Sequence, residues 1–557
     1  MPALTARLGL LPLAAFALLA IASCGGGSEP TYTLSGDVNG LHTAGLVLAA
    51  GSATVAVSAN ATTFTLPARF AQGASYAVTV QSQPANLNCR VLNGSGKVAA
   101  HNVTSVQVIC VGLWTWVGGV PPTGQPFGVY GTQGIPSAGN WPGGRYSSAI
   151  AQDKSGHVWM FGGGGYDSIQ FSEFLNDLWE FTPATGLWTW MSGPQSATSA
   201  GWDAVYGSVG IAAPGNHPGA RTNAGLWTDP EGRVWLFGGS GFDANQQQGW
   251  LNDLWRFDPA SGLWTWMGGA STINSNGAVV IGVQGIPAAG NAPAARGSAA
   301  SWTDDSGNFW LFSGFGEQSP YPQFNDLWKY DVLAGQWAWM SGTPNAPTSS
   351  LGVYGTRGVA ASTNMPPARG SASTWIDSQN HLWLFGGGYE ISQGADAGCC
   401  TYVLNDLWVY DVQSGNWTWM SGSDAPSASS VYGILGLESA LSMPGMHAGS
   451  TSWTDSQGNL WLFGGDSATE PYQSDLWRYR PGTGQWTWMA GTNTPDFYGT
   501  YGTKGVAAPN NLPPPSVASM GWSDSTGRLW LFGGSTFAIV SGSRNEAQAN
   551  YLWTYQP

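Results

Sequence analysis

The chain has 557 residues, of which only 9% are charged, and it contains 81 glycines and 32 tryptophans. This length permits more than one domain, and low charge with many aromatics and glycines indicates an all-β protein rather than a disordered one. The formal net charge is −14 and the sequence has no basic run. It therefore lacks the clustered Lys and Arg that a nucleic-acid partner would require.

Residues 1–23 are expected to be an export signal. Arg7 supplies the positive end, and the apolar run Leu8–Ile21 is too short for a comfortable transmembrane helix. The sequence Ile21-Ala-Ser-Cys24, followed by glycines, resembles the lipobox of bacterial lipoproteins. The resemblance implies cleavage before Cys24 and acylation of that cysteine, with residues 24–30 as a tether. Because residue 25 is Gly rather than Asp, it also implies the outer membrane, facing either the periplasm or the cell surface. The alternative is an ordinary signal peptide with an incidental cysteine.

Residues 31–112 are predicted to form a separate small domain. Several stretches, such as Thr63–Leu66 and Tyr76–Val80, alternate apolar and polar residues as half-buried strands do. The pattern resembles an immunoglobulin-like β-sandwich, and such a domain is expected to serve as a spacer. Export permits disulfides, and Cys89 and Cys110 are expected to bond. The loop of about twenty residues that they close would stabilise the domain by roughly 3 kcal/mol.

Three short phrases recur six times from residue 113 to residue 557. The Trp-[Leu/Met]-Phe-Gly-Gly phrase, with Ser in place of the first Gly in its third copy, begins at Trp159, Trp235, Trp310, Trp383, Trp461 and Trp530. The Asp-Leu-Trp phrase ends at Trp179, Trp255, Trp328, Trp408 and Trp477, with Tyr-Leu-Trp ending at Trp553 as its sixth copy. The Trp-x-Trp phrase begins at Trp114, Trp188, Trp264, Trp337, Trp417 and Trp486.

These phrases resemble the kelch repeat, whose units form four-stranded blades of a β-propeller. The resemblance covers residues 113–557 and implies six blades, a fold similar to the central domain of galactose oxidase. The first phrase, Leu113–Val117, is a fourth strand with no blade before it, whereas the last unit, Ser516–Gln556, has only three strands. The N-terminal strand is therefore expected to complete the last blade and leave no open edge.

Most tryptophans follow the strand pattern and are predicted to pack between blades. In Trp264-Thr-Trp266 the aromatics are two residues apart, so they share one face of a strand. A sugar-binding aromatic platform is the functional alternative. The tryptophans that we place outside the repeat positions are Trp141, Trp202 and Trp250.

A second pattern links the first and third strands of each unit. The first strands open with Arg145, Arg221, Arg296 and Arg369 in units one to four, and then with His447 and Ser516. The third strands open with Asp177, Asp253, Asp326, Asp406 and Asp475, and then with Tyr551. We expect an Arg–Asp pair in each of the first four units, crossing over the second strand's glycines. The alternative is a ring of arginines that faces an anionic ligand.

No cofactor is expected. The turns that begin at Asp229, Asp377, Asp455 and Asp524 resemble the Asp-box of other propellers. Calcium binding stays open at these turns, although each offers few carboxylates. Copper of the galactose oxidase kind is not expected, because residues 113–557 contain no close His pair.

Function should depend on features that differ between repeats, and these are not enough to identify a reaction. The irregular residues are Trp141, Trp202, His217, Trp250, the Cys399–Cys400 pair, His447, Lys504, Arg544 and Glu546. The two adjacent cysteines would form a vicinal disulfide or remain free thiols. We expect an envelope scaffold that binds a protein or glycan through the loop-rich propeller face. The alternative is a carbohydrate-modifying enzyme, epimerase-like or oxidase-like, with its site at the propeller axis.

Overall fold

The computed structural model describes residues 29–121, 126–196, 202–273, 281–316, 323–344, 352–389, 402–467, 472–493, 498–540 and 543–557. All regular structure in these ranges is β-structure, and they contain no helix. The all-β prediction is therefore confirmed. The described residues accordingly include no apolar helix of membrane-spanning length.

The N-terminal unit consists of two facing four-stranded sheets. Its strands are β1 (Thr31–Tyr32), β2 (Leu34–Asn39), β3 (Leu46–Ala50), β4 (Ala53–Val57), β5 (Thr63–Thr65), β6 (Phe70–Ala71), β7 (Ser75–Ser82), β8 (Leu87–Leu92), β9 (Ser95–Lys97) and β10 (Val103–Gly112). One sheet has the order β5-β2-β10-β8 and the other β4-β3-β7-β9. Their inward residues form one apolar cluster that includes Leu34, Leu48 and Val106, each 0% exposed.

A disulfide joins the last long strands of this unit. Cys89 on β8 lies opposite Cys110 on β10, and their sulfurs are bonded, as predicted. The two residues are 3% and 2% exposed. A buried disulfide indicates an oxidising, exported environment.

The remaining strands in the described ranges form eight sheets: six of four or five strands, which we number one to six, one of three strands and one two-stranded hairpin. Strand β11 (Trp114–Gly118) precedes them. Sheet one contains β12 (Arg145–Tyr146), β13 (Ala149–Gln152), β14 (Val158–Tyr166), β15 (Phe171–Thr182) and β16 (Leu187–Ser192). Sheet two contains β17 (Arg221–Thr222), β18 (Gly225–Thr228), β19 (Val234–Phe242), β20 (Gln248–Asp258) and β21 (Leu263–Gly268). Sheet three contains β22 (Ala300–Thr303), β23 (Phe309–Phe312), β24 (Leu327–Asp331) and β25 (Gln336–Ser341).

Sheets four to six repeat the plan. Sheet four contains β26 (Ser373–Ile376), β27 (Leu382–Phe385), β30 (Leu407–Asp411) and β31 (Asn416–Ser421), with the hairpin β28 (Gly388–Tyr389) and β29 (Tyr402–Val403) between them in the chain. Sheet five contains β32 (Thr451–Thr454), β33 (Leu460–Gly465), β34 (Gln473–Arg480) and β35 (Gln485–Ala490). The last strands are β36 (Ser516–Val517), β37 (Met520–Ser523), β38 (Leu529–Phe532), β39 (Ser535–Val540), β40 (Ser543–Gln548) and β41 (Leu552–Tyr555).

Sheet six is completed by a strand from the other end of the repeats. Its order is β11-β41-β38-β37, so β11 occupies the place that a fourth strand holds in the other sheets. Trp114 lies opposite Tyr555, and Trp116 lies opposite Trp553, in antiparallel register. This arrangement confirms the predicted clasp between the first strand and the last unit.

The sheets pack face to face in cyclic order through buried aromatics. Separate apolar clusters join sheet one to two, two to three, three to four, four to five and five to six. A sixth cluster joins sheet six to sheet one and includes Trp179, Trp188 and Trp530, which are 0–4% exposed. The prediction that the repeated tryptophans form the core is confirmed, since wide flat rings fill the gap between facing sheets.

A closed circle of backbone hydrogen bonds joins the six sheets at their innermost strands. In each unit the residue two positions after the Arg, His or Ser that opens the first strand has a positive φ, between 52° and 63°. Its N–H donates to the carbonyl of the equivalent residue in the preceding unit over 2.7–3.1 Å, and the first unit donates to the sixth. The six residues are Ser147, Asn223, Ser298, Ser371, Gly449 and Ala518.

The long connections between units lie against the outer edges of the sheets. In the connection before sheet one, the Gly134 N–H donates to the carbonyl of Trp190, and the Asn140 amide donates to that of Trp188. Equivalent glycines contact the edge strand of every sheet, and equivalent asparagines contact all of them except sheet five. Covered edges cannot pair with another chain. The extra length of these units therefore covers strand edges.

Candidate functional site

Four pairs of buried, oppositely charged side chains connect the first and third strands at one end of sheets one to four. In sheet two, Arg221 Nη1 donates to Asp253 Oδ1 over 2.7 Å, and Nη2 donates to Oδ2 over 2.8 Å. Nη1 also donates to the carbonyl of Gly238, the first glycine of the pair that the arginine crosses. The predicted pairs are thus confirmed: Arg145–Asp177, Arg221–Asp253, Arg296–Asp326 and Arg369–Asp406.

These arginines are 0–1% exposed. Because each guanidinium is buried and its donors are used within its own sheet, we retain the ion-pair interpretation over that of an exposed ring facing an anionic ligand. Paired, hydrogen-bonded charges of this kind are costly to break, since removing one partner leaves the other charge buried alone.

The aspartate also accepts hydrogen bonds from a tyrosine and a tryptophan in sheets one, two, four and five. In sheet one, Asp177 Oδ2 accepts from Tyr130 Oη and from Trp179 Nε1, each over 2.7 Å. Burial alone would raise the pKa of Asp177, but Arg145 and these donors hold that pKa below its usual value. The tyrosine belongs to the Tyr-Gly-x-x-Gly sequence of the connections, so that sequence fixes the connection to the ion pair.

Sheets five and six depart from this arrangement. His447 occupies the arginine position in sheet five, where its Nδ1 lies 2.8 Å from the carbonyl oxygen of Gly464. Its Nε2 lies 4.0 Å from Asp475 Oδ2. Both side chains are buried, and neither His447 Nε2 nor Asp475 Oδ1 has a hydrogen-bond partner among the described atoms. In sheet six, Ser516 and Tyr551 provide no charge at the two positions.

Replacing His447 with arginine is expected to stabilise the protein by about 1–3 kcal/mol, because it supplies donors to a buried carboxylate oxygen that lacks one. The measurement is the urea midpoint of unfolding. Ser516→Arg is the matched control: it places the same side chain in sheet six, where Tyr551 offers no carboxylate, and should destabilise. Equal effects of the two substitutions would contradict the expectation.

The other candidate residues lie at structural contacts. Trp141 donates from Nε1 to the carbonyl of Asn550 over 2.8 Å, and His217 forms a β-bridge with Val205. Trp141 and His217 occupy equivalent places, since Trp141 forms the same bridge with Val129. Our assignment of Trp141 to a position outside the repeats is therefore wrong. This repeated bridge position could not be recognised in the sequence because it holds different residue types in different units.

Trp202 and Trp250 also pack against other residues. The Trp202 ring stacks on Phe242 with 5.0 Å between the ring centroids. Trp250 is half-buried against a small cluster that includes Phe315 and Met446. Both rings are half-buried.

The turns that begin with aspartate use their carboxylates internally. In sheet two, Asp229 Oδ1 accepts from the N–H groups of Glu231 and Arg233, and Oδ2 accepts from Trp235 Nε1. The same bonds to the backbone and to a tryptophan recur at Asp304, Asp377, Asp455 and Asp524. The described residues hold no group of three or more His, Cys, Asp or Glu side chains arranged to bind a metal ion.

Three of the candidate positions cannot be placed. Cys24, together with residues 1–23, and the Cys399–Cys400 pair lie outside the described residues. Lys504 lies in the connection before sheet six, next to Gly505, whose N–H donates to the carbonyl of Trp116. Lipidation and a vicinal disulfide therefore stay predictions.

A group of aromatic and acidic side chains lies where sheets five, six and one meet, at the end that carries the connections between second and third strands. We call it the Tyr472 cluster; it consists of Tyr146, Glu173, Tyr472, Phe537 and Glu546. The rings of Tyr472 and Phe537 stack with 4.6 Å between their centroids. Tyr472 Oη donates to Glu546 Oε1 over 3.4 Å, and Ser535 Oγ donates to the same oxygen.

Tyr146 brings sheet one to the cluster. Its ring lies over Gly164, where a Cβ would come within 2.8 Å of ring carbons. Burial raises the pKa of Tyr146, and the charges of Glu546 and Glu173 raise it further. Burial and Glu546 likewise raise the pKa of Tyr472 to about 12. Both phenols are therefore neutral hydrogen-bond donors at physiological pH.

Glu546 is the one member of this cluster that the sequence marks as irregular among the repeats. Glu173 and Glu546 are exposed, and Tyr146 and Tyr472 are half-buried. Among the described side chains, neither glutamate forms an ion pair. The sequence does distinguish Tyr146 from the other units. It follows the residue that opens the first strand, and the same position holds Thr, Gly, Gly, Ala and Val in units two to six.

No known protein-family model matches the chain, and no curated protein matches it significantly. Over the described residues, the fold and contacts define an all-β protein of repeated antiparallel sheets with a buried Cys89–Cys110 disulfide.

Proposed function

We propose that the protein is a lipid-anchored kelch-type propeller of six blades, carried on an immunoglobulin-like spacer, that binds a glycan through the Tyr472 cluster. The cyclic packing of the six sheets and the circle of backbone hydrogen bonds support the propeller architecture. The lipobox-like sequence at Cys24 supports attachment to the outer membrane. The module holds its ligand on a rigid scaffold and performs no chemistry on it.

The observation that carries this proposal is the combination of stacked rings and carboxylates that form no ion pair among the described side chains, at one junction of sheets. Aromatic rings offer flat apolar surface to the C–H face of a sugar, and carboxylates accept hydrogen bonds from its hydroxyls. The Tyr472–Phe537 stack lies beside Glu546, whereas most other aromatics are buried within the core. A few well-placed polar groups on an apolar platform are typical of small-ligand sites.

A glycan array probed with the purified protein tests the proposal. Glu546→Gln is expected to weaken binding of the recognised glycan by about 10- to 100-fold, because one charge-assisted hydrogen bond contributes roughly 1.5–3 kcal/mol. Tyr472→Ala should weaken it similarly by removing the stacked surface. Glu231→Gln, at an exposed turn at the opposite end of sheet two, is the matched control. Binding that survives both cluster substitutions, or no glycan binding at all, would leave a protein partner as the better proposal.

The carbohydrate-modifying enzyme remains the second candidate because two carboxylates and two phenols meet in the same cluster. Mass spectrometry together with proton NMR of each bound sugar after incubation separates the two functions. A binder returns the sugar unchanged. A changed mass or anomeric composition that is lost in Glu546→Gln would favour the enzyme.

A further inference from the structure

A second polar cavity, remote from the Tyr472 cluster, lies between the N-terminal unit and sheets five and six. It has a volume of about 410 Å³. On one side it is bordered by Asn39 at the end of β2 and by the turn that follows, which contains His42. On the other side it is bordered by the outer part of sheet five, including Trp461 and Arg478. We call it the interdomain groove.

Arg478 on β34 is the unusual residue of this groove. Its guanidinium lies 5.8 Å from the centre of the Trp461 ring, as Arg256 lies 5.7 Å from that of Trp235 in sheet two. The two arginines occupy equivalent strand positions, but only Arg478 is covered by the N-terminal unit. Arg478 Nε, like Arg256 Nε, is buried without a hydrogen-bond partner, so Arg478 differs from Arg256 in bordering the groove; no carboxylate forms an ion pair with Arg478 among the described side chains. Burial and the neighbouring Arg480 lower the pKa of Arg478.

The acidic residues that border the groove already have partners. Glu438 pairs with Arg480. Asp455 Oδ1 accepts from the N–H groups of Gln457 and Asn459, and its Oδ2 accepts from Trp461 Nε1 over 2.7 Å. The donors left for a ligand are therefore the terminal amines of the Arg478 guanidinium and nearby amides.

His42 adds a second unused group on the facing wall. Its Nε2 is buried without a hydrogen-bond partner. Burial lowers the pKa of His42, so the ring is neutral at physiological pH and offers a polar atom without adding charge. The amides of Asn39 and Asn60 border the same wall.

We propose that the interdomain groove binds a small carboxylated polyol, of the sugar-acid class. The planar fork of a guanidinium matches a carboxylate through two parallel hydrogen bonds, and the asparagine amides and His42 suit hydroxyl groups. A monosaccharide acid fits a volume of about 410 Å³. The ligand contacts both units, so it holds the spacer against the propeller. This site goes beyond the glycan-binding function proposed for the Tyr472 cluster and does not depend on it.

Isothermal titration calorimetry of the purified protein with D-glucuronate, D-glucose and inorganic phosphate tests the proposal. D-Glucuronate is expected to bind and to raise the melting temperature, whereas D-glucose, which lacks the carboxylate, should bind at least 10-fold more weakly. Arg478→Gln should weaken D-glucuronate binding by about 10- to 100-fold through loss of the charged fork. Arg256→Gln removes the equivalent cation–ring contact in sheet two and should leave binding unchanged.

Arg478→Lys is a second variant that separates a loss of binding from a loss of folding. Sheet three carries Lys329 over Trp310 at the equivalent place, so lysine is compatible with the fold. This variant should fold normally and still bind D-glucuronate more weakly than the original protein. Four outcomes would each overturn the proposal. D-Glucuronate does not bind, or it binds equally well to Arg478→Gln. The Arg478 and Arg256 variants lose binding equally, or phosphate binds in an Arg478-dependent way while D-glucuronate does not.

Discussion

Replacing Asp177 with alanine is expected to lower the free energy of unfolding by about 3–5 kcal/mol, because it leaves the charge of Arg145 buried without a counter-charge. Arg145 is 0% exposed and donates two hydrogen bonds to Asp177, over 2.7 and 2.8 Å. The substitution also removes the acceptor of the Tyr130 hydroxyl and the Trp179 indole. Urea unfolding followed by near-ultraviolet circular dichroism measures the loss.

Two further variants separate the charge effect from simple loss of a side chain. Asp305→Ala removes an aspartate that is exposed and should change stability by no more than about 0.5 kcal/mol. The double variant Arg145→Met with Asp177→Leu removes both charges and fills the space, so it should recover the part of the lost stability that comes from the unpaired charge of Arg145. A double variant as unstable as Asp177→Ala would show that the ion pair is not the cause.

The Arg145–Asp177 pair makes the free energy of unfolding depend on pH in the acidic range. The pKa of Asp177 is lowered in the folded protein, so its ionised form stabilises the fold. That contribution is fully present above the unfolded aspartate pKa of about 3.9 and is lost as pH falls through the lower folded pKa. As the pH falls below about 4, the free energy of unfolding of the original protein should therefore decrease more than that of the Arg145→Met, Asp177→Leu variant, which has no carboxylate at position 177.

The ion pairs could be predicted from the sequence because two independent patterns coincide. Arg and Asp recur at fixed places in the same four units, and two strand spacings roughly match the reach of an extended arginine. His447 and Ser516 broke the pattern in the sequence, and the contacts break there too. The clasp was predictable for a similar reason, since chain order left one strand without a sheet and one sheet without a strand.

Other contacts could not be predicted, because they join segments that share no pattern. The bond from Tyr130 to Asp177 spans a connection whose path is set by tertiary packing. The equivalence of Trp141 and His217 was hidden because the bridge that they form uses backbone atoms and tolerates any side chain. The Tyr472 cluster takes its residues from three different sheets, so only the ring arrangement brings Tyr146 near Glu546.

The pairing of β11 with β41 is expected to be the place where the closed arrangement of sheets opens first. Trp114 on β11 is 2% exposed and contacts the rings of Phe463 and Tyr555 at centroid distances of 5.4 and 5.1 Å. Trp114→Ala is expected to cost about 3–5 kcal/mol through lost burial and the cavity left behind. Because β11 is the one strand of sheet six that comes from the other end of the repeats, weakening it should also let that strand detach before the rest unfolds.

Trp264→Ala is the matched control for this prediction, because Trp264 holds the equivalent position in sheet two and is also 2% exposed. Both substitutions create a cavity of the same kind, so their costs should be similar. Hydrogen–deuterium exchange read by mass spectrometry distinguishes them. Trp114→Ala should speed exchange of the amides of β41, whose pairing partner is loosened, whereas Trp264→Ala should leave β41 protected. Equal exchange of the β41 amides in the two variants would contradict this prediction. It would mean that sheet six opens no more easily than the sheets formed from continuous chain. Packing between sheets, rather than pairing with β11, would then keep the ring closed.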